Sequence, residues 1–279
     1  MERVRFKGAT SIADKDIVEY MKEPKQTCNV VEFLQCYREW MQKDHNLDGI
    51  NKFPYLSFAN GSTEVFDKFY LKHIGKRLRL FRGEYYYHRI AAREWFNGNF
   101  AWVDEDSIKE NDVLVVSVPF SDTGNIPENY FEVMTCCYVF DVPVLIDMAY
   151  INITKNFNVY LDFDCIETIA TSLSKVFPVQ HHRIGMRLNR EHLDDPLDAY
   201  TDQDYVNHTS INMGYHLINK FSNSYTYDKY LVNQKKICQD LDVEESSCVI
   251  FGIDKKNLHP KLNRGGDTNR LCFSRLWGE

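Results

Sequence analysis

Two periods of apolar residues run through this 279-residue chain. Near the start, Val30, Phe33, Leu34, Tyr37 and Met41 fall three or four apart, the spacing that turns one helix face toward a core. Asn29 stands where the N-cap of that helix belongs, and Ser11 is placed to cap an earlier helix ending at about Lys22, before Pro24. Further on the pattern changes. Residues 113–118, VLVVSV, and 142–146, VPVLI, are apolar runs, as expected of parallel strands buried on both faces. Further strands are predicted from Tyr55, from Leu78 into an aromatic turn ending near 90, at 166–170 and at 247–252. Helices are predicted over 127–139, 210–221 and 227–240, and after the turn at 60–63, where Val65, Phe66, Phe69 and Tyr70 share a side. The charged stretch 190–204, REHLDDPLDAYTDQD, reads as a solvated loop.

Strands alternating with helices predict an α/β fold, a mostly parallel sheet flanked by helices, with a small α+β region behind it. The predicted division is an N-terminal helical segment (1–50), a large domain (51–205) and a C-terminal α+β region (206–279).

Composition narrows the function classes. With 44% apolar and 26% charged residues the chain is an ordinary globular sequence. A net charge of −7 argues against nucleic acid or an anionic membrane surface as partner. No run of about 18 apolar residues suggests a membrane span, and MERVRFKGATS lacks the apolar core of a signal peptide, so a cytoplasmic protein is expected. The eight cysteines form no C-x-x-C pair and read as small buried groups in a reducing compartment. Asp44, Asn46, Asp48 and Gly49 imitate half of a calcium loop, but Tyr55 occupies the position of its closing glutamate. His181 and His182 lack a third ligand at recognisable spacing. No metal is expected.

The chemistry concentrates in SLSKVFPVQHHRIG, residues 172–185. Lys175 sits among the hydroxyls of Ser172 and Ser174, and Arg183 follows eight positions later. A lysine that attacks a carbonyl must be held close to its electrophile, and a guanidinium fork binds phosphate bidentately. Together they read as a site for a phosphorylated aldehyde. Upstream, a strand runs into Asn60, Gly61, Ser62 and Thr63 before a helix. That geometry makes an anion site from free backbone N–H groups, although Ser62 could equally serve as an N-cap. Asp147 ends the apolar run at 142–146, and ligand groups in open α/β sheets belong at such strand ends.

This ordered set closely resembles the class I/II aminotransferases, fold type I enzymes that use pyridoxal 5′-phosphate (PLP). The family's S-x-S-K, R-apolar-G and D-x-A-Y patterns match at Ser172, Ser174, Lys175, Arg183, Asp147 and Tyr150. The N-G-S-T-E turn is similar to that of the histidinol-phosphate aminotransferase branch. The resemblance implies that Lys175 forms the Schiff base, with Gly61, Ser62, Thr63, Ser172, Ser174 and Arg183 holding the phosphate. Asp147 would pair with the pyridine nitrogen, and Tyr150 would hydrogen-bond the phenolic oxygen. An aromatic ring should stack on the pyridine; Tyr85 aligns best, with Tyr86 and Tyr87 as the neighbouring registers. The family's P-x-N-P-T-G appears here as PFSDTG, so Ser121 stands where an asparagine would touch the cofactor. Arg270 matches the arginine that binds the substrate α-carboxylate, with Arg275 as the neighbouring alternative.

The resemblance implies an unusually short PLP-dependent aminotransferase moving an amino group between an amino acid and a 2-oxo acid, built as a homodimer. The alternatives are another PLP reaction at the α-carbon, such as a decarboxylase or lyase, and a shortened homologue without turnover.

Overall fold

The computed structural model describes residues 6–23 and 27–277. Pro24, expected to end the first helix, lies outside them. That helix, α1 (Lys15–Met21), is capped by Asp14, whose carboxylate accepts from the N–H groups of Asp16 and Ile17. The expected cap, Ser11, instead reaches Gln180 at 3.5 Å; an aspartate nearer the apolar periodic residues outcompetes it. Asn29 caps α2 (Val30–Gln42) as predicted, and the helix buries Val30, Phe33, Leu34, Tyr37 and Met41.

A short strand, β1 (Asn46–Asp48), precedes β2 (Tyr55–Asn60), α3 (Ser62–Lys72), β3 (Arg77–Leu80), α4 (Tyr86–Glu94) and β4 (Phe100–Trp102). The stretch expected as an aromatic turn is therefore cut short, because Tyr86 and Tyr87 open a helix. Then come β5 (Asp112–Ser117), α5 (Tyr130–Val139), β6 (Val144–Asp147), β7 (Asn158–Tyr160), β8 (Ile166–Ser172) and β9 (Ile184–Asn189). The expected solvated loop at 190–204 contains α6 (Pro196–Asp202). Its Asp198 is buried against Arg187 at 2.6 Å, a long-range pair that local charge density hides. The chain closes with α7 (His208–Lys220), α8 (Tyr225–Leu241), β10 (Glu244–Glu245), β11 (Phe251–Asp254) and β12 (Asn269–Cys272). The strand expected at 247–252 thus begins only at Phe251.

The central sheet has seven strands in the order β2-β9-β8-β6-β5-β3-β4. Strands β8, β6, β5, β3 and β4 run parallel, while β9 is antiparallel to both its neighbours. Apolar residues alternate across it. Val113 and Val115 join one buried layer beneath α3 and α4, and Leu114 and Val116 join the larger one. The larger layer takes residues from α2, α7 and the C-terminal strands as well. A separate antiparallel sheet, β10-β11-β12, supplies the C-terminal α+β region. No helix among the described residues is long and apolar enough to cross a membrane.

Candidate active site

The carboxyl ends of β2, β5, β6 and β8 and the start of β9 lie along one sheet edge, since Asn60 pairs with Ile184, Ser172 with Gly185, and Ser117 with Asp147. A cavity of about 140 Å³ opens at that edge. Hydroxyls and a guanidinium line one part of it: Ser62, Thr63, Ser172, Ser174 and Arg183. Asp147, Tyr150, Lys175 and Tyr85 line it as well. Nine predicted residues, spread over more than a hundred positions of sequence, thus share one cavity.

The N-terminus of α3 builds the anion side. Its N-cap is Gly61, at φ +81°, with no side-chain cap. Ser62 is the first helical residue, so its hydroxyl is not the cap. A Cβ at Gly61 would fall 2.3 Å from a guanidinium nitrogen of Arg183, so the glycine is what lets that arginine lie against the turn. Arg183, itself at φ +56°, donates to the Thr63 hydroxyl at 2.9 Å. The Ser172 hydroxyl lies 3.1 Å from that of Ser174 and 3.0 Å from the Ile184 carbonyl oxygen.

Lys175 lies in the turn after β8. Its Nζ donates to the carbonyl oxygen of Ala9 at 2.8 Å and lies 5.6 Å from the Tyr150 ring centroid. The N-terminal segment therefore covers the lysine, a contact with no sequence signal. Asp147 ends β6 and is 3% exposed. One carboxylate oxygen accepts from the Ala149 N–H at 2.9 Å, and the other lies 3.7 Å from Nε2 of His88.

Sequence reasoning missed His88 and Glu84. His88 is fully buried on α4; its Nδ1 meets the Tyr70 hydroxyl and its Nε2 has no hydrogen-bond partner. Glu84, also fully buried, accepts from the N–H groups of Ser117 at 2.9 Å and Tyr85 at 2.8 Å, and from the Ser117 hydroxyl. Burial pushes its carboxyl above the usual range. It ties the loop before α4 to the end of β5 and so places Tyr85. The available signal was an acid and a histidine inside the aromatic run LFRGEYYYHRI.

The three tyrosines are placed differently. Tyr85 lines the cavity, and burial raises its phenol. Tyr86 lines only a neighbouring cleft, and Tyr87 donates to Asp67 at 2.8 Å. Ser121 is placed differently from expectation. It is fully buried outside the cavity lining, and its hydroxyl accepts from Arg264 at 3.0 Å. Arg264 is a partner the sequence did not signal. Gly61 likewise stands behind the lining, shaping it through its backbone. Arg270 lines the adjoining cleft of about 660 Å³, together with Tyr85, Tyr150 and Lys175. Its guanidinium donates to the Ser121 carbonyl and stacks 4.5 Å over the Phe251 ring centroid. Among the described residues no group of three or more His, Cys, Asp or Glu is placed to hold a metal.

No protein-family model matches the chain. No curated protein matches its sequence. Solved structures do match. A tetra mutant of the Thermus thermophilus aspartate aminotransferase superposes with TM-score 0.68 at 12% identity, covering 98% of this chain and 94% of that one. A PLP-bound C-S lyase from Staphylococcus hominis gives 0.67 at 11%, covering 95% and 83%. An L-threonine-O-3-phosphate decarboxylase from Porphyromonas gingivalis gives 0.63 at 13%, covering 96% and 95%. The central sheet, its flanking helices and these superpositions together give the chain the α/β fold of the PLP-dependent fold type I enzymes.

Proposed function

We propose that the protein is a PLP-dependent aminotransferase that moves an amino group between an amino acid and a 2-oxo acid. One observation carries this reading. Lys175, Asp147, Tyr85 and Tyr150 share one cavity with the hydroxyls of Ser62, Thr63, Ser172 and Ser174 and the Arg183 guanidinium, at a helix N-terminus. The donor set fits the cofactor: an amine, an acid, an aromatic face and an anion site with an uncapped first turn.

Bound there, PLP would supply an aldehyde for amines and a pyridinium that draws electrons from the α-carbon. Ser62, Thr63, Ser172, Ser174 and Arg183 would hold its phosphate. Asp147, with one oxygen tied to the Ala149 N–H and the other beside His88, would keep a proton on the ring nitrogen, each charge favouring the other. Tyr85 would cover one ring face and Tyr150 would donate to the phenolic oxygen. Lys175 would anchor the group through Nζ and, once displaced by the substrate amine, carry the α-proton. Arg270 would orient the α-carboxylate. The N-G-S-T-E turn sets the chain nearest the histidinol-phosphate branch in motif style. A homodimer and a reducing, cytoplasmic setting belong to the same reading.

The test is the absorbance of the purified protein with PLP before and after borohydride, with peptide mapping, then a scan of amino donors for 2-oxo acid and pyridoxamine phosphate. Capture on Lys175 with 2-oxo acid formation supports the proposal. The second reading is a lyase or decarboxylase. It is supported by the lyase and the decarboxylase among the matching solved structures. Carbon dioxide release or β-elimination without 2-oxo acid consumption would select it. Cofactor capture with no turnover of any amine would identify a binding homologue.

A further inference from the structure

The P-x-N-P-T-G pattern appears in this chain as PFSDTG, so two adjacent positions depart from it together, Ser121 and Asp122. In the structure both are contacts of one distant loop. One terminal nitrogen of Arg264, Nη2, donates to the Ser121 hydroxyl at 3.0 Å and to the Glu84 carbonyl oxygen at 3.4 Å. Its Nε lies 3.7 Å from an Asp122 carboxylate oxygen, and Asp122 also accepts from the Thr268 hydroxyl at 3.2 Å. The loop is closed on itself as well. Asn263 donates to the carbonyl oxygens of Gly266 and Thr268 at 2.9 and 3.1 Å and accepts from the Gly265 N–H at 2.8 Å. A side chain held in this way has already lost most of the freedom that binding would otherwise cost.

The other terminal nitrogen of Arg264, Nη1, has no hydrogen-bond partner among the described residues. The side chain borders the 660 Å³ cleft together with Tyr85, Tyr150, Lys175 and Arg270. Burial and the neighbouring Arg270 hold Arg264 below the usual arginine range, at about 10, while Tyr150, Asp122 and Glu84 pull the other way. Arg264 is therefore a desolvated, anchored cation beside the Tyr150 phenol, with one donor group unspent. Ser121 is fully buried and does not line the cavity, so its own hydroxyl is not available there.

On the PLP reading, Tyr150 donates to the phenolic oxygen of the cofactor, an atom that bears negative charge. We propose that Arg264, docked on Ser121 and Asp122, is the second donor to that oxygen, occupying the role that the resemblance gives to an asparagine at position 121. This rests on the PLP reading above. The exchange is not neutral. A charged donor makes a hydrogen bond to an anionic oxygen roughly twice as strong as a neutral one does, and a cation at that place opposes a further positive charge beside it. Both effects make the cofactor-linked nitrogen of Lys175 release its proton at lower pH. The charged and titratable groups around Arg264 are Asp122, Glu84, Arg270, Tyr85, Tyr150 and Lys175.

The test reads the visible absorbance of the PLP-loaded protein as a function of pH, without substrate, with borohydride capture and peptide mapping on a parallel sample. In Arg264→Gln the midpoint of the absorbance change should rise by about one pH unit, a tenfold change in proton affinity. Lys261→Gln, at the exposed rim of the same cleft, should leave it within a few tenths of a unit. Adding Ser121→Asn to Arg264→Gln should bring the midpoint back toward the wild-type value. Should Arg264→Gln not fold, Arg264→Lys and Ser121→Ala replace it, each with a smaller rise. Capture on Lys175 with a midpoint unmoved by the Arg264 and Ser121 changes, or moved as far by Lys261→Gln, overturns the assignment alone. A double variant no different from Arg264→Gln overturns the shared role. If borohydride captures nothing on Lys175 of the wild type, the PLP reading fails and this assignment falls with it.

Discussion

Nε2 of His88 lies 3.7 Å from a carboxylate oxygen of Asp147, and neither side chain is more than 4% exposed. The other Asp147 oxygen is held by the Ala149 N–H, and the far nitrogen of His88 by the Tyr70 hydroxyl. The acid is thus tied to the backbone on one side and faces His88 of α4 on the other, and it lines the cavity. This placement predicts that His88 acts through Asp147, as a positioning residue. Replacing it with asparagine should lower turnover about tenfold to a hundredfold while borohydride capture on Lys175 persists. Unchanged turnover in His88→Asn would show that the strand end alone orients the acid.

Gly185 and Gly61 meet backbone to backbone at the site. A Cβ at 185 would fall 2.6 Å from the Gly61 carbonyl carbon and 2.8 Å from its Cα. Backbone cannot swing aside as a side chain can, so Gly185→Ala must displace the turn carrying Ser62 and Thr63. A loss of roughly 1–3 kcal/mol in stability is expected, with a larger fractional loss in affinity for PLP. Thermal unfolding and a cofactor titration on the same variant check both; an alanine that leaves cofactor affinity at the wild-type level would show the turn to be tolerant.

Much of the site was legible because its residues stand at element ends. Strand-end Asp147, the glycine turn at Gly61 and the hydroxyl-flanked Lys175 each leave a local trace in sequence, and each lines or shapes one cavity. What escaped depends on distant partners. Arg264 meets Ser121 across 143 positions, and Ala9 meets Lys175 across 166. Strand β9 and helix α6 escaped for a related reason. The charged residues Arg187, Asp195 and Asp198 look solvated in sequence, yet they pair with one another.

That ion network yields a stability prediction. Arg187 is 1% exposed on β9, two residues beyond Gly185, and contacts Asp195 at 2.5 Å and Asp198 at 2.6 Å. Asp198, itself buried, also accepts from the Ser57 hydroxyl at 2.5 Å and the Leu193 N–H at 2.7 Å. Arg187→Met strands a buried carboxylate and should cost about 3–5 kcal/mol. Adding Asp198→Leu to Arg187→Met should recover part of that loss, because removing both charges ends the stranding. Denaturant unfolding of the single and double variants decides it; a double variant less stable than the Arg187→Met single would contradict the account.

Asp122 gives the pH dependence. It is 2% exposed, accepts from the Thr268 hydroxyl at 3.2 Å and faces Arg264 at 3.7 Å. Burial pushes its carboxyl from the ordinary 3.8 up to about 6, against the opposing pull of Arg264 and Arg270. The folded protein therefore keeps a proton on Asp122 at pH values where the unfolded chain has released it. The stability this proton provides is complete below pH 3.8 and is lost as pH rises through about 6, a change of about 3 kcal/mol. Asp122→Asn cannot titrate, so its stability curve lacks that decline. Unfolding free energies for both proteins from pH 4 to 7 should show the wild type losing ground to the variant by that amount as pH rises; parallel curves would mean that Asp122 titrates alike in the folded and unfolded chains.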